Sequence, residues 1–412
     1  MTQLPTPEPG QELAWVQAHL GHLTLESQCG LDIIASPRFR GGQSAANEAL
    51  ADFDVRGYAG RRSEVLPRSR RGASGLSPYI RHGLLPLTQV WDAVAGGPTR
   101  DVDKFRDELL WQEYSRHLYA RLGTAMSYPL RAEPPSENRG DTDPFGPGMA
   151  CVDAVIGELH TDGWMVNQTR MWMASHWAVR HGARWQDGEN EFFRHLLDGS
   201  RAANRAGWQW TIGTATGKPY GFARWQVEKR APELCAQCPR QRNCPIEKWP
   251  RESAAIWLDD PDGRIRRDPD PLDTAGPSQV RNRSQPDAVW ITAESLGDSD
   301  PALRAQPRLP AMFIFDEGLL RRLTLSGKRL VFLSEALADL STRRPIEVHL
   351  GAPAKVLAGR QLATTFAPVP GWRRLSSQLG AELVDVHPWP WLRPPGSGPV
   401  GSFSAWRNAS PR

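Results

Sequence analysis

The chain changes character near residue 259, and that change limits the folds open to it. Up to about residue 250 apolar residues recur mainly at helical spacing. Residues 104–122 predict a long amphipathic helix anchored by Phe105, Leu109, Trp111 and Leu118. Residues 44–58 hold a shorter periodic pattern. Residues 76–93 read as a helix with Ser77 placed to cap it and Pro78 in its first turn. Helical spacing returns over 149–181 and 189–197, the latter stopped by Asp198-Gly199, while 129–149 is rich in Pro, Gly, Asp and Glu and reads as a loop. The charged, proline-rich stretch 259–284 reads as a linker. Beyond it lie short β-like runs at 288–292, 311–315, 329–333, 346–350 and 382–386, with helical segments such as 334–340 and 354–357 between them. That alternation predicts a small parallel sheet flanked by helices, following a helical part. No GxGxxG follows the first of these strands, so that dinucleotide fingerprint is absent.

A chain of 412 residues can bury a full core and is expected to make two domains. No stretch approaches the roughly 20 apolar residues that span a bilayer. The first residues lack a basic segment before an apolar run, so no signal peptide is expected. The formal charge is +4, but residues 56–81 carry Arg56, Arg61, Arg62, Arg68, Arg70, Arg71 and Arg81 against one acid, Glu64. Such a cluster suits a polyanion or a solvated surface. Nine of the 17 tryptophans fall between Trp91 and Trp225, a density that electron transfer, base stacking or packing would each use.

Four of the five cysteines lie within 151–244, which fits a reducing, cytoplasmic compartment better than a disulfide framework. Cys235-x-x-Cys238, Cys244 and Cys151 offer thiolates for an iron–sulfur cluster or for zinc, with Pro239 and Pro245 shaping the backbone. A redox dithiol would leave Cys244 unexplained; ordinary buried thiols remain an alternative. Cys29 stands apart and reads as structural.

The run 196–210, LLDGSRAANRAGWQW, joins an acid, a small-residue turn, an amide and two tryptophans, a mixture suited to gripping a planar redox cofactor. With 163–171 (GWMVNQTRM), Trp185-x-x-Gly188-Glu189, 75–83 (GLSPYIRHG) and 107–117 (DELLWQEYSRH), it resembles, in the same order, the FAD-binding domain of the photolyase/cryptochrome family. The later part resembles that family's α/β domain: 289–303, Phe313 to Asp316 and 329–340 are similar to its first strands and helix, and 398–407 to the end of the interdomain linker. The resemblance therefore implies a circularly permuted member. Its fold would be an all-helical FAD-binding and iron–sulfur domain at 1–255, a linker at 256–285, and a small Rossmann-like α/β parallel-sheet domain with a C-terminal extension at 286–412.

What the resemblance implies for function is light-driven repair of cyclobutane pyrimidine dimers by reduced FAD. Asn204 would face flavin N5, Arg170 and Asp198 would form the ion pair beside the ring, and Ser74, Gly75, Leu76, Ser77 and Tyr58 would lie along the diphosphate and adenine side. Glu108, Trp111, Asn167, Met171 and Trp210 match the lesion pocket, with Trp111 and Trp210 as two apolar faces. Trp208 and Trp185 match the inner and middle members of an electron-supplying tryptophan chain; no tryptophan in 129–149 supplies the outer one, leaving Trp172, Trp177 or Tyr220. Trp164 reads as core. Cys151, Cys235, Cys238 and Cys244 fall where iron–sulfur members hold a 4Fe-4S cluster. The arginines of 61–81 would meet DNA phosphates.

Four departures stand out: Ser200 replaces a second acid, Ala73 a threonine and Gln112 an arginine, and the loop 294–298 lacks the arginines usual near an antenna chromophore, whose presence stays open. Val166 and Asn167, with no histidine, argue against (6-4) photoproduct repair. A cryptochrome-like blue-light receptor or a (6-4) photolyase is the alternative function. The expected partner is UV-damaged DNA, with no membrane and a monomeric chain.

Overall fold

The computed structural model describes residues 2–134, 143–250 and 254–410. Part of the loop expected at 129–149, residues 135–142, thus lies outside the described residues, as do 251–253 and the last two positions.

Seven strands form one sheet: β1 (Thr2–Leu4), β2 (Arg281–Asn282), β3 (Ala288–Ile291), β4 (Ala311–Asp316), β5 (Ile346–Gly351), β6 (Leu362–Thr365) and β7 (Leu383–His387), in the order β1-β5-β4-β3-β6-β7-β2. The five central strands pair in parallel and the two edge strands antiparallel. Counted from β3, the central order is 3-2-1-4-5, the arrangement of a doubly wound sheet, with the reversal at β3. The predicted parallel sheet is present, enlarged by β6 and by both antiparallel edges. One expected strand is not: 329–333 lies inside the helix Gly327–Ser341, whose Leu330, Val331, Phe332 and Leu333 are all buried. A short run apolar on every side carries no period, and a helix packed against the sheet produces it as readily as a central strand.

Helical elements dominate the residues before the sheet, but the chain begins in it. β1 pairs with β5, and the helix Glu12–His19 packs on Gly327–Ser341. Two long expected helices are broken. Residues 76–93 form Ser77–Arg81 and Leu87–Ala93, separated at Gly83 and Pro86. Residues 149–181 form Ala150–Asp162 and Asn167–Ala174, the second continuing as a π-helical turn, Ser175–Arg180. The helix Thr99–Leu122 matches its prediction and extends it by one turn at the front, where Asp101 accepts from the Gly57 and Ala59 amides at 2.8 and 2.9 Å.

The stretch 259–284 is more ordered than a linker. It forms the helical turns Gly263–Ile265 and Pro271–Ala275 and then β2. Arg121 straps it to the long helix: the buried guanidinium pairs with Asp268 at 3.1 Å and donates to the carbonyls of Arg264, Gly396 and Gly398. A planar five-donor fork can hold several loops at once, and nothing in local composition announces it.

One apolar core runs from the sheet layer (Val289, Phe313, Leu330) into the helical part (Leu84, Phe105, Leu197), and a second surrounds the cysteines. The two layers meet at backbone distance. A Cβ on Gly83 would lie 2.3 Å from the Glu294 carbonyl oxygen, and one on Gly297 would lie 2.1 Å from that of Gly83, so neither position admits a side chain. The Leu296 amide donates to the His82 carbonyl across this contact.

Candidate flavin, lesion and cysteine sites

Of the residues expected to face a flavin, Arg170 and Asp198 meet at the turn 196–200. Arg170, on the helix Asn167–Ala174, donates from Nη2 to Asp198 Oδ2 at 2.8 Å and from Nε to the Met165 carbonyl at 3.1 Å. Asp198 is buried, and its Oδ1 has no partner. Ser200 is the N-cap of the helix Arg201–Thr211, its Oγ accepting from the Ala202 amide at 3.1 Å. The position where an acid was expected therefore serves the helix end.

Asn204 donates from Nδ2 to Oε1 and the carbonyl of Glu189 at 2.8 and 2.9 Å. Its Oδ1 takes no hydrogen bond from the described residues. Glu189 is buried, hydrogen-bonded by Arg201 and 3.6 Å from Arg205. Burial raises its carboxyl above the usual range, and the two arginines act the other way. Glu189 thus orients the amide. It lies in the quoted Trp-x-x-Gly-Glu run, but its partner is 15 residues away and only the fold joins them.

Trp208 and Trp185 are both buried in the core around the cysteines. Gly188 lies against two rings: a Cβ there would be 2.3 Å from Trp208 Cη2 and 2.9 Å from Trp177 Cδ2. Trp177 is half-buried on the π-helical turn, beside Phe145 at 4.7 Å, so of the three outer candidates it is the one held against the same glycine as Trp208. Trp172 instead stacks on Phe222 at 5.3 Å, and Tyr220 sits 6.0 Å from Trp210.

On the expected diphosphate side, Ser74 Oγ accepts weakly from the Leu76 amide at 3.4 Å, and Gly75 has φ +70°. Ser77 does not cap its helix. Leu76 is the N-cap, and Ser77 Oγ accepts from the Trp164 indole at 2.9 Å. Trp164 is buried, as expected of a core residue. Tyr58 is buried against the rings of Phe105 and Phe53, and burial raises its phenol far above the usual range.

The lesion-pocket residues are less free than expected. Glu108 is paired with Lys104 at 2.8 Å and Arg62 at 3.2 Å. Asn167 is exposed at the start of its helix and Met171 is half-buried. Trp210 stays 36% exposed, which leaves a face for a ligand. Trp111 is half-buried, with Phe403, on the helix Phe403–Ala409, stacked on one face of its ring at 4.1 Å and an interplanar angle of 11°. The segment 398–407 is the source of this cover, and its apolar residues carried no sign of their target.

Acids meet most of the arginine cluster. Arg71 is buried against Glu158, Arg81 pairs with Glu294 at 2.9 Å, Arg62 with Glu108, and Arg68 and Arg70 lie 3.4 and 3.7 Å from Asp162 and Glu64. Apart from Glu64, these acids lie far off in sequence, so the cluster looked largely uncompensated.

Cys151, Cys235, Cys238 and Cys244 are free thiols lining one cavity. Cys151 begins the helix Ala150–Asp162; Arg180 holds the Cys244 loop by donating to the Pro245 and Lys248 carbonyls. Burial pushes the Cys151 thiol up to about 12, and the neighbouring sulfurs act in the same direction. No three of the four sulfurs lie within 4.8 Å of one another.

Residues 105–230 match the family model for the FAD binding domain of DNA photolyase. The chain is 29% identical over 225 residues to a deoxyribodipyrimidine photo-lyase of Synechococcus sp., covering 51% of this chain and 46% of that protein. It is 31% identical over 225 residues to the enzyme of the same name from Thermus thermophilus, covering 51% and 44%. Among solved structures, a bacterial class III photolyase from Agrobacterium tumefaciens aligns with 28% identity and a TM-score of 0.40 over 46% of this chain and 43% of that one. The chain thus spans less than half the length of these curated relatives. No helix among the described residues is long and apolar enough to cross a membrane.

Proposed function

We propose that the chain is a photolyase/cryptochrome family member that repairs cyclobutane pyrimidine dimers in UV-damaged DNA with light and reduced FAD. The observation that carries this reading is the Arg170–Asp198 pair, with Asn204 held by Glu189, inside the stretch similar to a photolyase FAD-binding domain. The residues present fit the flavin. Asp198 keeps an unpartnered Oδ1, and Asn204 keeps an open Oδ1 while Glu189 fixes its Nδ2. FAD, when bound, supplies the light-driven electron. Arg170 would offset its negative charge, held in place by Asp198, and Asn204 would meet the ring at N5. Trp208 and Trp185 would carry electrons inward, with Trp177 in the outer place. Trp210 and Met171 would receive the extruded lesion, and Glu108 would bond a base edge after giving up one of its two cations. Ser74, Gly75, Leu76, Ser77 and Tyr58 would hold the rest of the cofactor.

Cys151, Cys235, Cys238 and Cys244 would hold a 4Fe-4S cluster; their shared cavity supports it. In this reading the chain is permuted, its sheet strands after β1 following the helical part, and it acts as a cytoplasmic monomer. The deciding experiment is illumination of the reduced protein with DNA carrying defined lesions. Loss of cyclobutane dimers is expected; persistence of both cyclobutane and (6-4) lesions would sink the repair reading. Iron and acid-labile sulfide in the purified protein test the cluster. A cryptochrome-like receptor is the second reading, and the stacking of Phe403 on Trp111 favours it, since it covers a lesion-binding face.

A further inference from the structure

A second metal-binding constellation lies apart from the cysteines. His160 projects from the helix Ala150–Asp162; Glu191 and His195 lie one turn apart on the helix Trp185–His195. Their ligand atoms all lie within 4.8 Å of one another. Glu191 Oε1 is 3.6 Å from His160 Nε2 and 3.2 Å from His195 Nε2, and the two imidazoles are 4.4 Å apart. Three donors around a tetrahedral zinc ion, with bonds of 2.0–2.1 Å, stand about 3.3 Å apart. The observed edges depart from that by only a few tenths of an ångström, and His160, half-exposed, can turn to close the third.

Two further observations point to a ligand. Arg194 Nη1 lies 3.4 Å from Glu191 Oε2, which leaves Oε1 directed at both imidazoles. His195 is over nine-tenths buried, its Nδ1 has no partner, and its one polar contact is through Nε2 into the cluster. Its Nε2, the nitrogen that would meet a metal, already faces the carboxylate of Glu191, with the His160 ring beside it. The positive charge of Lys328 also acts on His195 and weakens the site without closing it.

We propose that His160, Glu191 and His195 bind one divalent transition-metal ion of the zinc class, with water in the open position. Two imidazoles and one carboxylate suit zinc over magnesium or calcium. The ion clamps the helix that carries Cys151 to the helix that carries Trp185 and Glu189. The site is independent of the flavin reading.

The test is calorimetric titration of zinc into the purified protein with its cysteine-bound metal in place, comparing wild type with His160→Ala and Glu191→Gln. His160 is exposed enough that its removal leaves the fold intact. Wild type should bind one additional zinc and gain several degrees in unfolding midpoint with excess zinc. Each variant should lose at least tenfold in affinity and most of that gain, with iron and sulfide content unchanged. The proposal is overturned if wild type binds no additional zinc, or if both variants bind it as wild type does. It is also overturned if zinc uptake is abolished by Cys151→Ser but survives His160→Ala.

Discussion

Gly188→Ala adds one methyl group to the interior of the helix Trp185–His195, and the sign of its effect is the informative part. In an open helical position the change stabilises: alanine gains about 1 kcal/mol over glycine in helix propensity. Here the new Cβ would stand 2.3 Å from Trp208 Cη2, 2.9 Å from Trp208 Cζ3 and 2.9 Å from Trp177 Cδ2. Carbon atoms prefer roughly 3.5–4.0 Å, so the nearest ring atom must retreat by more than 1 Å. Trp208 cannot do so easily, being fully buried with Phe192 packed edge-on at 5.1 Å. Trp177 is tied by its indole to the Arg184 carbonyl at 2.9 Å. Overpacking of this kind costs about 1–3 kcal/mol. With both rings pinned, the cost falls in the upper part of that range, about 2–3 kcal/mol, so after the propensity gain a net loss of about 1–2 kcal/mol is expected, read as a fall in the urea midpoint at unchanged slope. Displacing Trp208 from Trp177 should also slow photoreduction of oxidised flavin while repair by chemically reduced enzyme persists. A variant as stable as wild type or more so would refute the contact and, with it, the place given to Trp177.

Asp300 offers a pH test. Buried fully and bonded by Thr365 Oγ and the Ala302 and Leu303 amides, its carboxyl is lifted by burial from 3.8 to about 6. A raised folded value means its stabilising contribution is full below pH 3.8 and lost as pH rises through about 6. Asp300→Asn cannot ionise, so its stability relative to wild type should improve by roughly 2–3 kcal/mol between pH 4 and 7.5 in urea unfolding; a constant difference would contradict the shift. Phe403→Ala should uncover Trp111 and tighten binding of dimer-containing DNA severalfold in a fluorescence titration, at a stability cost of about 1 kcal/mol or less for a half-buried ring. Unchanged affinity would mean that Trp111 does not face the lesion.

Patterns that repeat along the chain were legible in the sequence; contacts made across it were not. The helix Thr99–Leu122 and strands β3, β4, β5 and β7 declared themselves through period, because each presents a distinct face or a bounded apolar run to the core. The Arg170–Asp198 pair was legible only through resemblance, since its members are 28 residues apart. β1 and β2 were missed because edge strands of three and two residues carry no pattern. The ion pairs that satisfy the arginine cluster, the Phe403 cover and the Arg121 strap are long-range choices between groups whose local sequence is neutral. Ser77 shows the same limit at close range: its hydroxyl was free to cap, and Trp164 took it.

The α/β layer does more than sit beside the Arg170–Asp198 pair, and Arg329 shows how. It belongs to the helix Gly327–Ser341, yet its guanidinium donates to the Phe193 and Gly199 carbonyls, the second at 3.0 Å, on either side of Asp198. Arg81 donates to the same Gly199 carbonyl at 3.2 Å and pairs with Glu294 in the sheet layer. The turn that presents Asp198 to Arg170 is therefore held from the other layer, whatever order the two layers take in the chain. Arg329→Met keeps much of the side-chain volume but leaves the Phe193 carbonyl without this donor and Gly199 with Arg81 alone. At about 1–3 kcal/mol for a buried carbonyl left unpaired, the variant should lose about 1–3 kcal/mol in stability. It should also retain less FAD on purification, although Arg329 makes no contact with Arg170 or Asn204. Full FAD retention with reduced stability would limit Arg329 to a packing role; full retention with unchanged stability would remove the sheet layer from any account of how the site is held.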